Sequence, residues 1–147
     1  MSTQLDRARI ATLIPHAGAM CLLDSVIAWD TSTITCVSAS HRLADNPLAA
    51  HGHLDALCGI EYAAQAMAVH GGLIGTGPRP ATGYLASLRD VICAVDRLDT
   101  LEGELLIAAE LLIADANRVI YRFNLTCNAN PVLSGQAAVV LDASPPT

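Results

Sequence analysis

The sequence contains no lysine: its eight basic residues are all arginine, set against fourteen acids for a formal net charge of −6. With no basic cluster, and only one tryptophan, one phenylalanine and three tyrosines, it lacks the charged, aromatic-studded surface that nucleic-acid binding needs. Net charge governs solubility and steering rather than one site, so an acidic partner met by a local arginine patch stays open. There is no C-x-x-C pair. The five cysteines, Cys21, Cys36, Cys58, Cys93 and Cys127, are an odd number in apolar surroundings. No disulfide framework or zinc site is expected, and the cysteines are expected to be small buried hydrophobes. No apolar run reaches the roughly 18 residues of a membrane span. The opening MSTQLDRARIATLIPH has no basic segment followed by an apolar core and cleavage site, so no secretory signal is expected, and a cytoplasmic location is.

What is present is apolar bulk. Over 147 residues, 52% are hydrophobic and 15% charged, enough for one domain with a substantial core. Residues 4–14 have helical spacing, stopped by Pro15. AMCLLDSVIAWD and TITCVSAS read as two strands around a polar turn at residues 30–33. The polar segment HRLADNPLAAHGHLD is a loop carrying three of the five histidines. The apolar run LCGIEYAAQAMAVHGG, residues 57–72, reads as a long helix, with Asp55 as its N-cap and Gly71-Gly72 as its stop. After the Gly/Pro-rich connection GTGPRPATG the rest is strand-like. ELLIAAELLIA is helical by composition, but VIYRFNLTC alternates with period two and the NANP turn follows it. The order is a short helix, two strands, one long helix and about four antiparallel strands: an α+β domain in which a sheet wraps a central helix.

One residue does not fit that helix. Leu57, Ile60, Glu61, Ala64, Gln65 and Ala68 fall on adjacent rows, which places Glu61 on a face expected to be covered. A covered carboxylate must be paired, protonated or working. The amides of residues 56–59, at the positive end of the helix dipole, are expected to polarise a thioester carbonyl. His41, His51 and His53 lie in the loop before the helix, and His16 follows Pro15. His70, at the helix C-terminus, is expected to cap it. A metal at His51-Gly52-His53 lacks a second ligand cluster, so none is expected.

Two stretches together resemble the hotdog-fold 3-hydroxyacyl-[acyl-carrier-protein] dehydratases. IPHAGAMCLLDSVIAWD is similar to their opening Leu-Pro-His-x-x-Pro-Phe-Leu-Leu-Asp-x-Val segment, with Ala19 in place of the proline. GIEYAAQAMAVHG is similar to their central-helix pattern of an acid followed by Ala-x-x-Gln. The match is closer to a divergent branch found with aryl-polyene and related polyketide-type gene clusters. The resemblance implies a hotdog fold, an antiparallel sheet wrapped around one long central helix, over residues 1–143 with 144–147 as a tail.

It also implies a homodimer, or a heterodimer with a related hotdog subunit, with acyl tunnels at the interface. The implied reaction is dehydration of 3-hydroxyacyl thioesters to 2-enoyl products, the substrate riding on the phosphopantetheine of an acyl carrier protein and no further cofactor being needed. Glu61 stands where the family's acid protonates the departing hydroxyl. The family's Gly-His-Phe-Pro-Gly loop is absent, and ungapped alignment puts Pro47 at its basic histidine. His41 and His51 are the candidate replacements, and His16, Leu57, Cys58, Gly59, Gln65 and Tyr84 the candidate substrate contacts. Arg79 and Arg89 are candidate carrier contacts. Two other readings stand beside this one: a non-catalytic subunit pairing with an active dehydratase, and an acyl thioesterase.

Overall fold

The computed structural model describes residues 4–14, 18–75, 83–115 and 117–141. The helical spacing of residues 4–14 resolves into a two-residue strand, β1 (Leu5–Asp6), and a short helix, α1 (Arg7–Ala11). The Asp6 carboxylate caps α1 by accepting from the Arg9 amide at 2.9 Å. β2 (Ser25–Trp29) and β3 (Thr33–Ser38) form the expected hairpin. Its turn is made by Asp30, one carboxylate oxygen of which accepts from the Ser32 and Thr33 amides, each at 2.8 Å. Such an Asx turn reverses the chain without glycine, and those bonds hold the Asp30 carboxyl below its ordinary range.

A single tighter turn (Ala56–Cys58) leads into α2 (Gly59–Leu73). The helix runs through Gly71 and Gly72, so the stop expected there lies further on, at Gly75 with φ +73°. Glycine alone enters that region without steric cost. β4 (Gly83–Cys93), β5 (Leu105–Ala114), β6 (Arg118–Cys127) and β7 (Asn130–Leu141) follow. All strands join one antiparallel sheet in the order β1-β2-β3-β5-β6-β7-β4. The run that is helical by composition is strand β5, because Leu105, Ile107 and Ala109 alternate inward and both its edges are paired. In β6, Tyr121, Phe123, Leu125 and Cys127 point inward while Arg122 and Asn124 are exposed, as the period of two requires.

The concave face of the sheet holds α2, packed on β3, β5 and β6. Ala63 and Ala66 are wholly buried there and admit close approach. Around them Tyr62, Phe123, Ile107, Leu125 and Leu133 lose almost all their exposure, each such burial contributing roughly 1.5–3 kcal/mol. β4, at the sheet edge, stays exposed along most of its length.

Candidate functional site

Glu61 occupies the side of α2 that the chain leaves open. The buried side carries Gly59, Tyr62, Ala63, Ala66, Val69 and His70. The other presents Leu57, 55% exposed, the exposed Glu61, and half-buried Ile60, Ala64 and Ala68. This corrects the expectation that the sheet covers Glu61. Its carboxylate makes no hydrogen bond or ion pair among the described residues. Gln65, expected at the same pocket, is instead buried. Its Oε1 accepts from the Leu22 amide at 2.9 Å and its Nε2 donates to the Met20 carbonyl at 2.7 Å. The side chain pairs with residues 20–22 as a strand would, which ties the Leu-Leu-Asp segment to α2.

Among the described residues no histidine hydrogen-bonds to Glu61. His41 is 1% exposed, and its Nε2–H donates to the Leu101 carbonyl at 3.1 Å. Its Nδ1 is buried without a partner among the described residues, and burial pushes the imidazole below its ordinary range. His51 is exposed at the tip of a tight turn, with φ 54° beside Gly52 at φ 76° and reciprocal bonds between Ala50 and His53 closing it. No hydrogen bond joins either to Glu61 among the described residues. His70 is no exposed cap. Its Nε2–H donates to the Asp30 carbonyl at 2.8 Å, so its Nδ1 must accept from the Tyr121 hydroxyl at 2.7 Å.

The amides at the helix start are already used. Ala56 donates to the Asp96 carbonyl, Leu57 to the Asp55 carboxylate at 2.8 Å, Cys58 to the Asp55 carbonyl, and Gly59 to the Ala56 and Leu57 carbonyls. Asp55 is a cap as expected, of the tighter turn rather than of α2 itself. The oxyanion site expected from residues 56–59 is therefore not available. The preceding loop is pinned by Asp99, which accepts from the Leu54 amide at 3.0 Å and pairs with Arg97; the Arg97 guanidinium holds its carboxyl far below the usual range.

Gly59, expected in the pocket, is a packing position: a Cβ there would lie 2.8 Å from Leu133 Cδ2 and 3.0 Å from Leu125 Cδ2. Cys58 is half-buried beside Leu48, whose carbonyl lies 4.0 Å from its Sγ, and burial pushes its thiol up. Tyr84 pairs with Val140 through β4, and its side chain lies outside the described residues, as do His16 and Arg79. Arg89 is exposed on β4, on the outer face of the sheet. Among the described residues no group of three His, Cys, Asp or Glu side chains could hold a metal ion, and no helix is long and apolar enough to cross a membrane.

Sequence reasoning missed the polar chain behind Glu61. Asn46 Nδ2 donates to the Tyr62 hydroxyl at 3.0 Å and to the Ser40 carbonyl at 2.9 Å. The Tyr62 hydroxyl lies 2.8 Å from Ser40 Oγ, which is 2.8 Å from Ser38 Oγ. Since Asn46 donates to the phenol, the phenol donates onward, and the chain ends on the Leu22 carbonyl. It fixes the segment leading to Pro47 against α2. Its one sequence signal was a tyrosine among small residues.

A single long helix held in a curved antiparallel sheet is the hotdog fold, and solved structures share it. A chain of the dehydratase heterocomplex ApeI:P from Xenorhabdus doucetiae aligns with a TM-score of 0.81 at 24% identity, over 92% of this chain and 91% of that one. A mutant thioesterase from Pseudomonas aeruginosa gives 0.66 at 11%, over 93% and 94%. AziG from S. sahachiroi gives 0.64 at 17%, over 88% and 97%. No curated protein sequence matches the chain. The model of the ApeP-like family, described as ApeP dehydratase, matches residues 8–145, and the chain belongs to that family of dehydratases.

Proposed function

We propose that the protein supplies the acid half of a dehydratase site to an assembly with a related hotdog subunit, acting on 3-hydroxyacyl thioesters of an acyl carrier protein. The observation that carries this is the place of Glu61, an unpaired carboxylate on an open, otherwise apolar helix face, with no histidine hydrogen-bonded to it among the described residues. A surface covering that face would favour the protonated carboxyl, the form a general acid needs. A base on the partner then takes the α-proton, the C–O bond breaks, and the hydroxyl leaves as water with the proton from Glu61. The product keeps a 2,3-double bond. A second copy of this chain would bring another Pro47 in place of a histidine, so a different subunit suits the site better. The ApeI:P heterocomplex, whose fold this chain shares, supports the same reading. The amides at residues 56–59 are occupied, so they give no support to polarising a thioester carbonyl in hydrolysis or in dehydration.

The test is turnover of 3-hydroxyacyl-carrier protein to the 2-enoyl product by the chain alone and with such a subunit. Glu61→Gln should lower the rate of the assembly by about 10²–10⁴, with the melting temperature little changed because Glu61 makes no hydrogen bond or ion pair among the described residues. Full activity in that variant would sink the proposal.

A further inference from the structure

Two chain segments are tied along one flank of α2, beside the open face that carries Glu61. Gln65 holds the first through the Met20 carbonyl and the Leu22 amide. Cys58 and Tyr62, four residues apart and so on one row of the helix, hold the second. The Tyr62 hydroxyl accepts from Asn46 Nδ2 at 3.0 Å, and Cys58 Sγ faces the Leu48 carbonyl at 4.0 Å. A cavity of about 240 Å³ is lined in part by Cys21 of the first segment and by Asn46 and Pro47 of the second. The 46–48 turn therefore borders space on that side, and hydrogen bonds rather than packing hold it in place.

Asn46, 6% exposed, makes those bonds from both ends of its amide. Its Oδ1 accepts from the Leu48 amide at 2.8 Å, the first N–H available after Pro47, which has none. Its Nδ2 donates to the Ser40 carbonyl and the Tyr62 hydroxyl. The oxygen closes the turn and the nitrogen fastens it to the helix. On either side the chain is anchored independently, by His41 on the Leu101 carbonyl and by the Leu54 amide on Asp99. Residues 43–49 between them reach roughly 23 Å when extended. They carry Leu43, 56% exposed, and half-buried Leu48, while the open face of α2 offers Leu57 and Ile60. Apolar surfaces within reach of one another close together by burial, and a cover formed here falls on Glu61. We infer that Asn46, acting through Tyr62, is a positioning residue that keeps residues 43–49 off the Glu61 face. The inference rests on the role proposed above for Glu61, and adds what leaves that acid open to partner and substrate.

Accessibility and turnover are read separately. Carboxyl groups are labelled with a water-soluble carbodiimide and glycine ethyl ester, and peptide mass spectrometry follows the rate at Glu61 against exposed Glu104. Asn46→Ala and the milder Tyr62→Phe should slow labelling at Glu61 and leave Glu104 unchanged. In assemblies with the related subunit, the same variants should raise the subunit concentration that gives half-maximal turnover, at an unchanged maximal rate. A freed turn lowers the competent fraction before assembly and does not alter the chemistry after it. Labelling should therefore fall and the half-saturating concentration rise by one common factor, about tenfold if one molecule in ten stays open. Equal labelling of Glu61 in unaltered and variant proteins overturns the inference whatever the enzyme does. So does a lower maximal rate at an unchanged half-saturating concentration, which marks loss of fold or of acid chemistry instead. Tyr62→Phe keeps the buried ring and decides the question alone where Asn46→Ala does not fold. Slower labelling in the variants, with no turnover by any form including the unaltered chain, leaves the positioning role standing and removes the dehydratase reading.

Discussion

His70 shows how much a single side chain can carry once its partners are known. Read along the chain it is a basic residue at a helix end. In the fold it is wholly buried, donating to Asp30 and accepting from Tyr121, 51 residues away. Burial disfavours the charged ring, and in the neutral ring Nδ1 accepts from the Tyr121 hydroxyl. Burial accordingly lowers the proton affinity of His70, as it does that of His41. The unfolded chain takes up these protons near pH 6.5 and the folded chain does not, so stability is fully present above that pH and declines as pH falls. The slope is at most about 1.4 kcal/mol per pH unit for each histidine. Urea midpoints at pH 7.5, 6.5 and 5.5 should show a shallower acid decline for His70→Gln than for the unaltered protein. Parallel declines would mean that His70 titrates normally in the fold. Glu61 was legible as an anomaly because it is the one acid in the apolar run of residues 57–72. The roles of Gln65 and His70 were not, because their partners lie on distant segments.

Elements were read well where periodicity decides and poorly where the neighbour decides. Two-residue alternation gave β6, and Asp30 gave the β2–β3 turn, since both signals are local. Helical periodicity grouped Leu57, Ile60, Glu61, Ala64 and Ala68 on one face, but it set the buried Gln65 with them and could not tell that the sheet would take the opposite face. The β6–β7 hairpin offers a test at this scale. Its two turn residues, Asn128 and Ala129, have φ values of 52° and 67°, the positive pair of a type I′ turn. Asn128 suits its place, and its Nδ2 donates to the Glu102 carbonyl at 2.7 Å. Ala129 does not, because a Cβ in that region costs about 1–2 kcal/mol, offset in part by glycine's greater freedom when unfolded. Ala129→Gly should therefore stabilise the protein by roughly 0.5–1 kcal/mol, read as a raised urea midpoint with unchanged slope. A lower midpoint would place the alanine outside the strained region.

For the molecule as a whole, apolar surface is left over on two elements, α2 and the edge strand β4. The open stripe of α2 presents Leu57, Ala64 and Ala68 around Glu61, and β4 presents Leu85 and Leu88, 44% and 38% exposed. Register pairs these two leucines with Val139 and Ala137, on the inner side of the sheet, where α2 packs on β3, β5 and β6. β4 is also a long edge strand with an unpaired row of backbone groups, which monomers ordinarily blunt with charge or cover. A partner laid along β4 and across the helix would cover all of this and enclose Glu61. That follows from the proposed assembly, and it can be broken without touching the acid. Leu88→Glu puts a charge on an exposed side chain of the isolated chain, where such changes stay within about 0.5 kcal/mol. At a covered contact the same carboxylate would be desolvated without a partner, at a cost of several kcal/mol. Mixed with its related subunit, the unaltered chain should sediment as one complex. Leu88→Glu should sediment separately with an unchanged melting curve, and dehydration should fall with the loss of complex rather than with any change in Glu61. A variant that assembles as fully as the unaltered chain would show that the partner sits elsewhere and that Glu61 is enclosed, if at all, from another side.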